Sequence, residues 1–140
     1  MKPKHQTAHM RAAHIYAELS SARRLKVGAL VVKDDRIVSI GYNGMPSGWD
    51  NNCEYDLEDG NIKTRPEVLH AETNALAKLA RSTESGLDAD LFVTHSPCLD
   101  CAKLIYQSGI KRVFYATAYR DNSGINFLKS SGIDVEQLDV

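Results

Sequence analysis

Residues 91–117 read LFVTHSPCLDCAKLIYQSGIKRVFYAT and contain two short strand-like segments on either side of a helical one. Residues 91–94 and 112–117 are apolar enough for strands inside a sheet, and the second is typical of a strand buried on both faces. Residues 98–108 are predicted to form a helix that ends at Gly109, because glycine readily takes the left-handed backbone that follows a helix. The stretch therefore predicts a strand, a helix and a second strand in succession.

The flanking segments continue this alternation. The Asp34-Asp35 pair predicts a tight turn between two strands, so the chain opens on a hairpin. The further predicted elements are helices over about 5–23, 68–81 and 123–130, and strands over 27–32, 36–42 and 133–137. A hairpin followed by alternating helices and strands predicts an α/β fold with three α/β/α layers around a mixed sheet of about five strands. Residues 41–65, rich in glycine and asparagine, are predicted to be one long irregular loop.

Length and composition limit the classes of protein that the chain can belong to. Its 140 residues predict a single domain, 1–140, and its three cysteines argue against a disulfide scaffold. The net charge of −1 argues against binding a long nucleic acid by charge alone, although a few cations could still hold a small phosphorylated ligand. With neither a signal-like N-terminus nor a run of about 18 apolar residues, we expect a cytoplasmic protein that does not enter a membrane.

Pro97-Cys98-Leu99-Asp100-Cys101 is the first segment that carries chemistry. Cys98 and Cys101 are three positions apart, so on a helix they face the same side. Pro97 is predicted at the first helical position, where a missing N–H costs nothing. Free N–H groups and the helix dipole then favour thiolates, which bind metals. By itself this pair is compatible with a zinc site or with a redox dithiol.

His70-Ala71-Glu72 is the second such segment. Two side chains two positions apart point roughly 200° away from each other on a regular helix, so His70 and Glu72 can converge only at a helix start. His70, Cys98 and Cys101 then supply three zinc ligands and leave one position for water, which is the pattern of a catalytic site. In the alternative interpretation His95 closes the site as a fourth ligand and the zinc is structural.

Glu72 is predicted to be the proton shuttle of such a site. Zinc with two thiolates is neutral overall and polarises water less than zinc with three histidines does, so a nearby carboxylate has to take the proton. A His-x-Glu segment followed by Pro-Cys-x-x-Cys is the signature of zinc-dependent nucleobase deaminases. The sequence therefore predicts one zinc ion per chain and hydrolytic deamination.

The sequence resembles the cytidine/deoxycytidylate deaminase superfamily, and within it the deoxycytidylate (dCMP) deaminases. The resemblance extends over about residues 27–133. Besides the two zinc motifs, it includes Gly41-Tyr42-Asn43-Gly44-Met45-Pro46, Gly109-Ile110-Lys111 and Tyr119-Arg120-Asp121. It implies a cytidine deaminase-like fold in which zinc-activated hydroxide attacks C4 of dCMP, Glu72 moves protons, and dUMP and ammonia are released.

The resemblance also implies roles around the substrate. It implies that the Ala71 N–H meets the base carbonyl, that Asn43 lies near the sugar, and that Tyr119 lies near the substrate. Cations before the first strand are implied to bind the phosphate, with Arg24 and Lys26 as the candidates and Arg23 as a third possibility. An enzyme acting on another cytosine nucleoside or nucleotide, or on a tRNA base, is the alternative within the superfamily.

Regulation and assembly are further implications of the resemblance. The implied assembly is a homo-oligomer, with a hexamer favoured. The implied effectors are dCTP as activator and dTTP as inhibitor, bound with Mg²⁺, at a site that Asn43 and Gly44 border. A second zinc site, present in some relatives, is not expected, because the segment before His70 offers only Cys53 as a ligand.

Overall fold

The computed structural model describes every residue from 1 to 140. In chain order the elements are α1 (Pro3–Ala17), β1 (Gly28–Lys33), β2 (Arg36–Tyr42), β3 (Glu54–Asp56), β4 (Ile62–Thr64), α2 (Ala71–Ala80), β5 (Asp90–His95), α3 (Leu99–Gln107), β6 (Arg112–Thr117), α4 (Ser123–Ser130) and β7 (Asp134–Gln137). None of the four helices combines the length and the apolar character that crossing a bilayer requires.

Five strands form one mixed sheet in the order β2-β1-β5-β6-β7. β1 pairs antiparallel with both β2 and β5, whereas β5, β6 and β7 run parallel. Asp34 and Asp35 form the turn between β1 and β2, with φ of 51° and 60°, the left-handed backbone that a two-residue hairpin turn requires. The predicted mixed sheet of about five strands is confirmed.

Helices cover both faces of this sheet. On one face Met10 and Ala13 of α1 pack against alternate residues of β1 and β5, among them Leu30 and Phe92. On the other face α2, α3 and α4 contribute a larger apolar cluster with the intervening strand residues, such as Val31. Because successive strand residues point to opposite faces, a sheet covered on both sides needs continuous apolar runs, and β1 and β5 have them. The predicted three-layer α/β/α architecture is confirmed.

The first helix is shorter than the predicted 5–23 and ends at Ala17. The N–H groups of residues 18–20 donate to carbonyls three positions back, in tight turns. Further on the donors bond to side chains: the N–H of Ala22 to Ser20 Oγ at 3.2 Å, and those of Arg23 and Arg24 to Glu54 Oε2 at 2.9 and 3.0 Å. These acceptors replace the carbonyls of a continuing helix. Residues 18–27 therefore form an irregular connection, and the prediction of helix up to residue 23 was wrong.

The predicted loop over 41–65 contains a small hairpin. Glu54, Tyr55 and Asp56 in β3 pair antiparallel with residues 62–64 in β4. The turn includes Gly60 with φ of 85°, which glycine adopts without strain. Three-residue strands are too short for a visible alternation of apolar and polar residues, so the prediction of one irregular loop was wrong for these six positions.

Two helix starts differ from the predictions in a way that affects the site. α2 begins at Ala71 and α3 at Leu99, so His70 and Cys98 are the N-cap residues, with extended backbones (ψ of 155° and 170°). Pro97 therefore precedes the N-cap and is not the first helical residue, as had been predicted. His70 and Glu72 can converge only where the backbone is not yet helical, and the backbone at His70 meets this condition.

Candidate active site

The starts of α2 and α3 bring three candidate metal ligands together. His70 Nδ1 lies 3.2 Å from Cys101 Sγ and 3.6 Å from Cys98 Sγ. The ligating atoms of the three residues all lie within 4.8 Å of one another, and no other group of three histidine, cysteine or acidic residues is arranged in this way. One imidazole and two sulfurs are a donor set that zinc prefers, so these residues fit the predicted metal.

His70 is held in its extended conformation by contacts on both sides. Gly44 and Leu69 form an isolated antiparallel bridge, in which the Leu69 N–H donates to the Gly44 carbonyl at 2.8 Å. The His70 carbonyl accepts from the Asn74 N–H at 2.9 Å and from Thr73 Oγ1 at 3.0 Å, which begins α2. The side chain of His70 therefore projects from the residue just before α2, whereas that of Glu72 projects from the first turn of the helix.

Gly124, near the start of α4, allows a close approach of α4 to the segment that carries Cys98. A Cβ atom at Gly124 would lie 2.1 Å from the Pro97 carbonyl oxygen and 2.8 Å from the Cys98 carbonyl. Both neighbours are main-chain atoms, which cannot move aside as a flexible side chain can. Cys98 can therefore occupy its position only because residue 124 has no side chain.

Replacing Gly124 by Ala is expected to destabilise the protein by about 1–3 kcal/mol, the usual cost of forcing extra atoms into a packed site. The measurement is urea unfolding, together with zinc content, which is expected to fall because Pro97 and Cys98 must shift. Gly44→Ala is the matched control, since nothing lies within 4 Å of a Cβ atom at Gly44. Equal stability of the two variants would contradict the proposed packing.

Glu72 is only 4% exposed and lies beside the three ligands. Burial raises the pKa of Glu72 to about 7, because a carboxylate loses hydration when it is removed from water. A carboxyl group in this range can both accept and release a proton near neutral pH. The position and environment of Glu72 thus suit proton transfer.

The two thiols differ in their environments. Hydrogen bonds from Cys101 and then from His70 lower the pKa of Cys98 to about 4. The same bond to Cys98, together with burial, raises the pKa of Cys101. Contact with Cys101 and His70 thus favours the thiolate form of Cys98, which is the form that binds metal ions.

A cavity of about 370 Å³ opens beside the ligands and Glu72. Its volume falls within the usual range for small-molecule sites, about 300–1,000 Å³. The predicted site residues in its lining are Arg24, Asn43, His70, Ala71, Glu72, Cys98 and Tyr119. Lys26 is exposed and, like Gly44, lies outside this lining, while Cys101 is buried within the ligand cluster.

Asn43 binds the segment that leads into β1. Its Oδ1 accepts from the Val27 N–H at 2.9 Å, and its Nδ2 donates to the Leu25 carbonyl at 2.7 Å. One lone pair of Oδ1 and one N–H of the amide remain for a ligand. Asn43 therefore shapes the wall of the cavity and retains the capacity for the predicted sugar contact.

The two neighbouring arginines differ. Arg23 pairs with Asp56, with Nη1 3.1 Å from Oδ1, and its Nε lies 3.5 Å from Glu54 Oε1. Arg24 lines the cavity, and although its main-chain N–H donates to Glu54, its guanidinium forms no ion pair with a carboxylate. Of the two, Arg24 is the one whose charge is available to an anionic ligand in the cavity.

Further residues at the end of β5 and near β3 also line the cavity, although the sequence did not predict a place for them beside the substrate. His95 was considered only as an alternative zinc ligand. Ser96 Oγ accepts from the Tyr119 N–H at 2.9 Å, and the His95 ring lies 5.4 Å from that of Tyr119, tilted by 32°. Burial raises the pKa of Tyr119 to about 12 and lowers that of His95. The position of His95 and Ser96 at the carboxyl end of a parallel strand was the available signal, because ligands bind at such ends. Cys53, just before β3, and Glu54, at its start, gave no such signal.

A mixed α/β/α sheet with a His-Cys-Cys cluster and a buried glutamate at two helix starts defines a zinc-binding deaminase. Residues 3–117 match the family described as the cytidine and deoxycytidylate deaminase zinc-binding region. The chain belongs to this family, and the recognition made from its motifs is confirmed.

Three relatives are dCMP (deoxycytidylate) deaminases. The crystal structure of the enzyme from cyanophage S-TIM5, in complex with dCMP and dUMP, matches with a TM-score of 0.92 and 49% identity over 99% of each chain. The enzyme of Enterobacteria phage T4 is 32% identical over 90% of this chain and 86% of its own. That of Mycobacterium phage D29 is 41% identical over 71% of this chain and 84% of its own.

Proposed function

We propose that this chain is a zinc-dependent dCMP deaminase that converts dCMP and water to dUMP and ammonia. The observation that carries the proposal is the single cavity in which His70, Cys98 and the buried Glu72 line one part of the wall and the unpaired Arg24 another. Such a cavity suits a ligand that has a reactive base and an anionic group. The similarity to a cyanophage enzyme crystallised with dCMP and dUMP supports this substrate class.

His70, Cys98 and Cys101 would hold the zinc ion, which when bound supplies Lewis-acid activation of the attacking water. In the proposed reaction the water oxygen adds at C4 of cytosine and the C4–N4 bond breaks. Glu72 takes one proton from the water and gives it to N3 of the base. It then takes the proton of the new C4 hydroxyl, which becomes the carbonyl, and gives it to the departing amino group, so that ammonia leaves. Burial of Glu72 keeps this transfer away from bulk water.

The remaining residues would orient the nucleotide. The first N–H groups of a helix have no intrahelical partner, so the N–H of Ala71 is available to the carbonyl of the base. Asn43 would contact the sugar with the lone pair and the N–H of its amide that remain free. Tyr119, in the segment after β6, would cover the ligand. Arg24 would bind the phosphate, because its guanidinium has several donors and a permanent charge.

Replacing Arg24 by Ala is expected to raise KM for dCMP by about 10–100-fold, the loss of one or two charge-assisted hydrogen bonds. Turnover of deoxycytidine, which lacks the phosphate, is expected to be unchanged. Ammonia release from both substrates, by the wild-type and the variant, is the measurement. Lys26→Ala tests the other predicted cation, with a smaller effect expected because Lys26 lies outside the lining.

Arg11→Ala, an exposed arginine on α1, is the control for the loss of one positive charge. Wild-type protein is expected to prefer dCMP to deoxycytidine. Faster turnover of deoxycytidine would contradict the phosphate site and would favour a nucleoside or other base as the substrate. An equal loss on both substrates in Arg24→Ala would show that Arg24 does not act through the phosphate.

Regulation by dCTP and dTTP, bound with Mg²⁺ near Asn43 and Gly44, is part of the proposal. One contact supports an effector site here: the Gly44–Leu69 bridge joins the Asn43–Gly44 segment to the residue before His70. An effector that displaced Gly44 would therefore act on a zinc ligand through two main-chain hydrogen bonds. Hard cations such as Mg²⁺ accompany triphosphates, so the effector is proposed to bind as a magnesium complex.

Saturation curves test this regulation. With Mg²⁺ present, the rate is expected to depend sigmoidally on dCMP concentration without dCTP and hyperbolically with it, because an activator shifts the population towards the active state. Addition of dTTP is expected to restore the sigmoidal curve. Hyperbolic curves under all three conditions would contradict an effector site.

The proposal also includes a homo-oligomer, with a hexamer favoured, in a reducing cytoplasm. Leu99, Leu104 and Tyr106 on α3 are 41%, 50% and 44% exposed and form an apolar surface that a neighbouring subunit could cover. All three cysteines are free thiols, which suits a reducing compartment. Light scattering at several protein concentrations gives the mass of the assembly.

A further inference from the structure

Glu54 is a buried carboxylate in the wall of the active-site cavity, at the start of β3. Its side chain is only 2% exposed. Charged groups are rarely buried to this extent unless their hydrogen-bonding atoms have partners. The reaction proposed above makes no use of it.

The two oxygens of Glu54 have different surroundings. Oε2 accepts from the N–H groups of both Arg23 and Arg24 and so holds the segment that presents the Arg24 guanidinium. Oε1 is buried and has no hydrogen-bond partner in the protein. The nearest cation, Arg23 Nε, is 3.5 Å from it and is engaged in an ion pair too long for a good hydrogen bond. Oε1 is therefore an acceptor without a donor.

The proposed substrate has few donors to offer. The phosphate and the base carbonyl are acceptors, and the only donors of dCMP are the amino group on C4 and the 3′-hydroxyl. The amino group is the group that leaves, and it belongs with Glu72 and the metal ligands. The 3′-hydroxyl is the only other donor, and it lies on the sugar between the base and the phosphate.

We propose that Glu54 is a specificity-determining residue that accepts a hydrogen bond from the 3′-hydroxyl of the nucleotide through Oε1. This inference rests on the proposed function, because it takes a deoxynucleoside monophosphate as the ligand. Glu54 contacts the main chain of Arg24, so it lies next to the proposed phosphate site, where the 3′-carbon of the sugar is close to the 5′-phosphate. The same carboxylate thus positions the phosphate-binding arginine and recognises the sugar.

Wild-type protein provides the first test. We expect kcat/KM for 2′,3′-dideoxycytidine monophosphate, which lacks the 3′-hydroxyl, to be about 10–100-fold lower than for dCMP, the usual value of a hydrogen bond to a charged group. Equal values for the two substrates would overturn the role of Glu54. Failure to deaminate dCMP at all would overturn the proposed function, so the two failures are distinguishable.

Glu54→Gln separates sugar recognition from positioning. The amide oxygen of Gln can still accept from the N–H groups of Arg23 and Arg24, but an NH₂ group then replaces the unpaired acceptor Oε1. The NH₂ group can at most donate a neutral hydrogen bond to the 3′-oxygen. We therefore expect kcat/KM for dCMP to fall by about 3–10-fold, while kcat/KM for the dideoxynucleotide changes less than about 3-fold. If Glu54 only positioned Arg24, the substitution would lower kcat/KM for both substrates by the same factor. That result would overturn the proposal.

Asp56→Asn is the matched control, because Asp56 also pairs with Arg23 but is 77% exposed. Its preference for dCMP over the dideoxynucleotide is expected to equal that of the wild-type. Zinc content and thermal unfolding show whether Glu54→Gln is folded. If it is not, Glu54→Asp is measured on the same substrate pair, and an unchanged preference in that shortened variant would count against the proposal.

Discussion

Replacing Glu72 by Gln is expected to reduce kcat for dCMP by about 100–10,000-fold, the usual contribution of a positioned general acid–base group. The amide has nearly the same size and shape as the carboxyl group but cannot accept and return a proton. Glu72 is buried and is not one of the three clustered ligands, so the zinc content is expected to stay at the wild-type level. Ammonia release and metal analysis of the same sample are the measurements.

Glu58→Gln is the matched control, since Glu58 lies exposed between β3 and β4. Its kcat is expected to equal that of the wild-type. Turnover within a few-fold of the wild-type in Glu72→Gln would contradict the role of Glu72 in proton transfer. Loss of zinc together with activity would instead show that Glu72 supports the metal site.

Replacing Cys98 by Ala is expected to abolish both zinc binding and measurable deamination. It removes one of three protein ligands and also the thiolate that hydrogen-bonds to Cys101 and His70. A zinc ion with only two protein ligands is bound weakly, because tight sites in proteins have three or four. Metal analysis after dialysis and an ammonia assay with added zinc check the prediction.

His95→Ala distinguishes a catalytic from a structural zinc site. The clustered ligand atoms include those of His70, Cys98 and Cys101 and not those of His95, so zinc is expected to remain in this variant. Loss of zinc from His95→Ala would favour the closed, four-coordinate site. Retention of zinc by Cys98→Ala would contradict the assignment of the ligands.

Several elements were predictable because local patterns decide them. The structure has β2 at Arg36–Tyr42, β6 at Arg112–Thr117 and α4 at Ser123–Ser130, with the predicted bounds. β6 is an apolar run of the kind that a sheet covered on both faces can bury, and α3 ends before Gly109, whose φ is 86°. These signals depend on neighbouring residues, so tertiary contacts had little to change.

Other elements depended on distant partners. α1 ends at Ala17, and the path of the segment after it depends on Glu54, which lies about thirty positions further on and accepts the N–H groups of Arg23 and Arg24. The β3–β4 hairpin in turn contacts that segment through Glu54 and through the ion pair of Asp56 with Arg23. Nothing in the local sequence of either segment reveals the other.

The sequence alone determined the chemistry of this protein: a His-Cys-Cys donor set, a glutamate beside it, and membership of a deaminase family. Only the tertiary structure decided which cation lines the cavity, that Asn43 uses half of its amide on the main chain, and that Glu54 lines the same wall. The physical reason is one of range. What a side chain can ligate or protonate is a property of its own atoms, whereas its distance from residues some thirty positions away is set by how the sheet and helices pack.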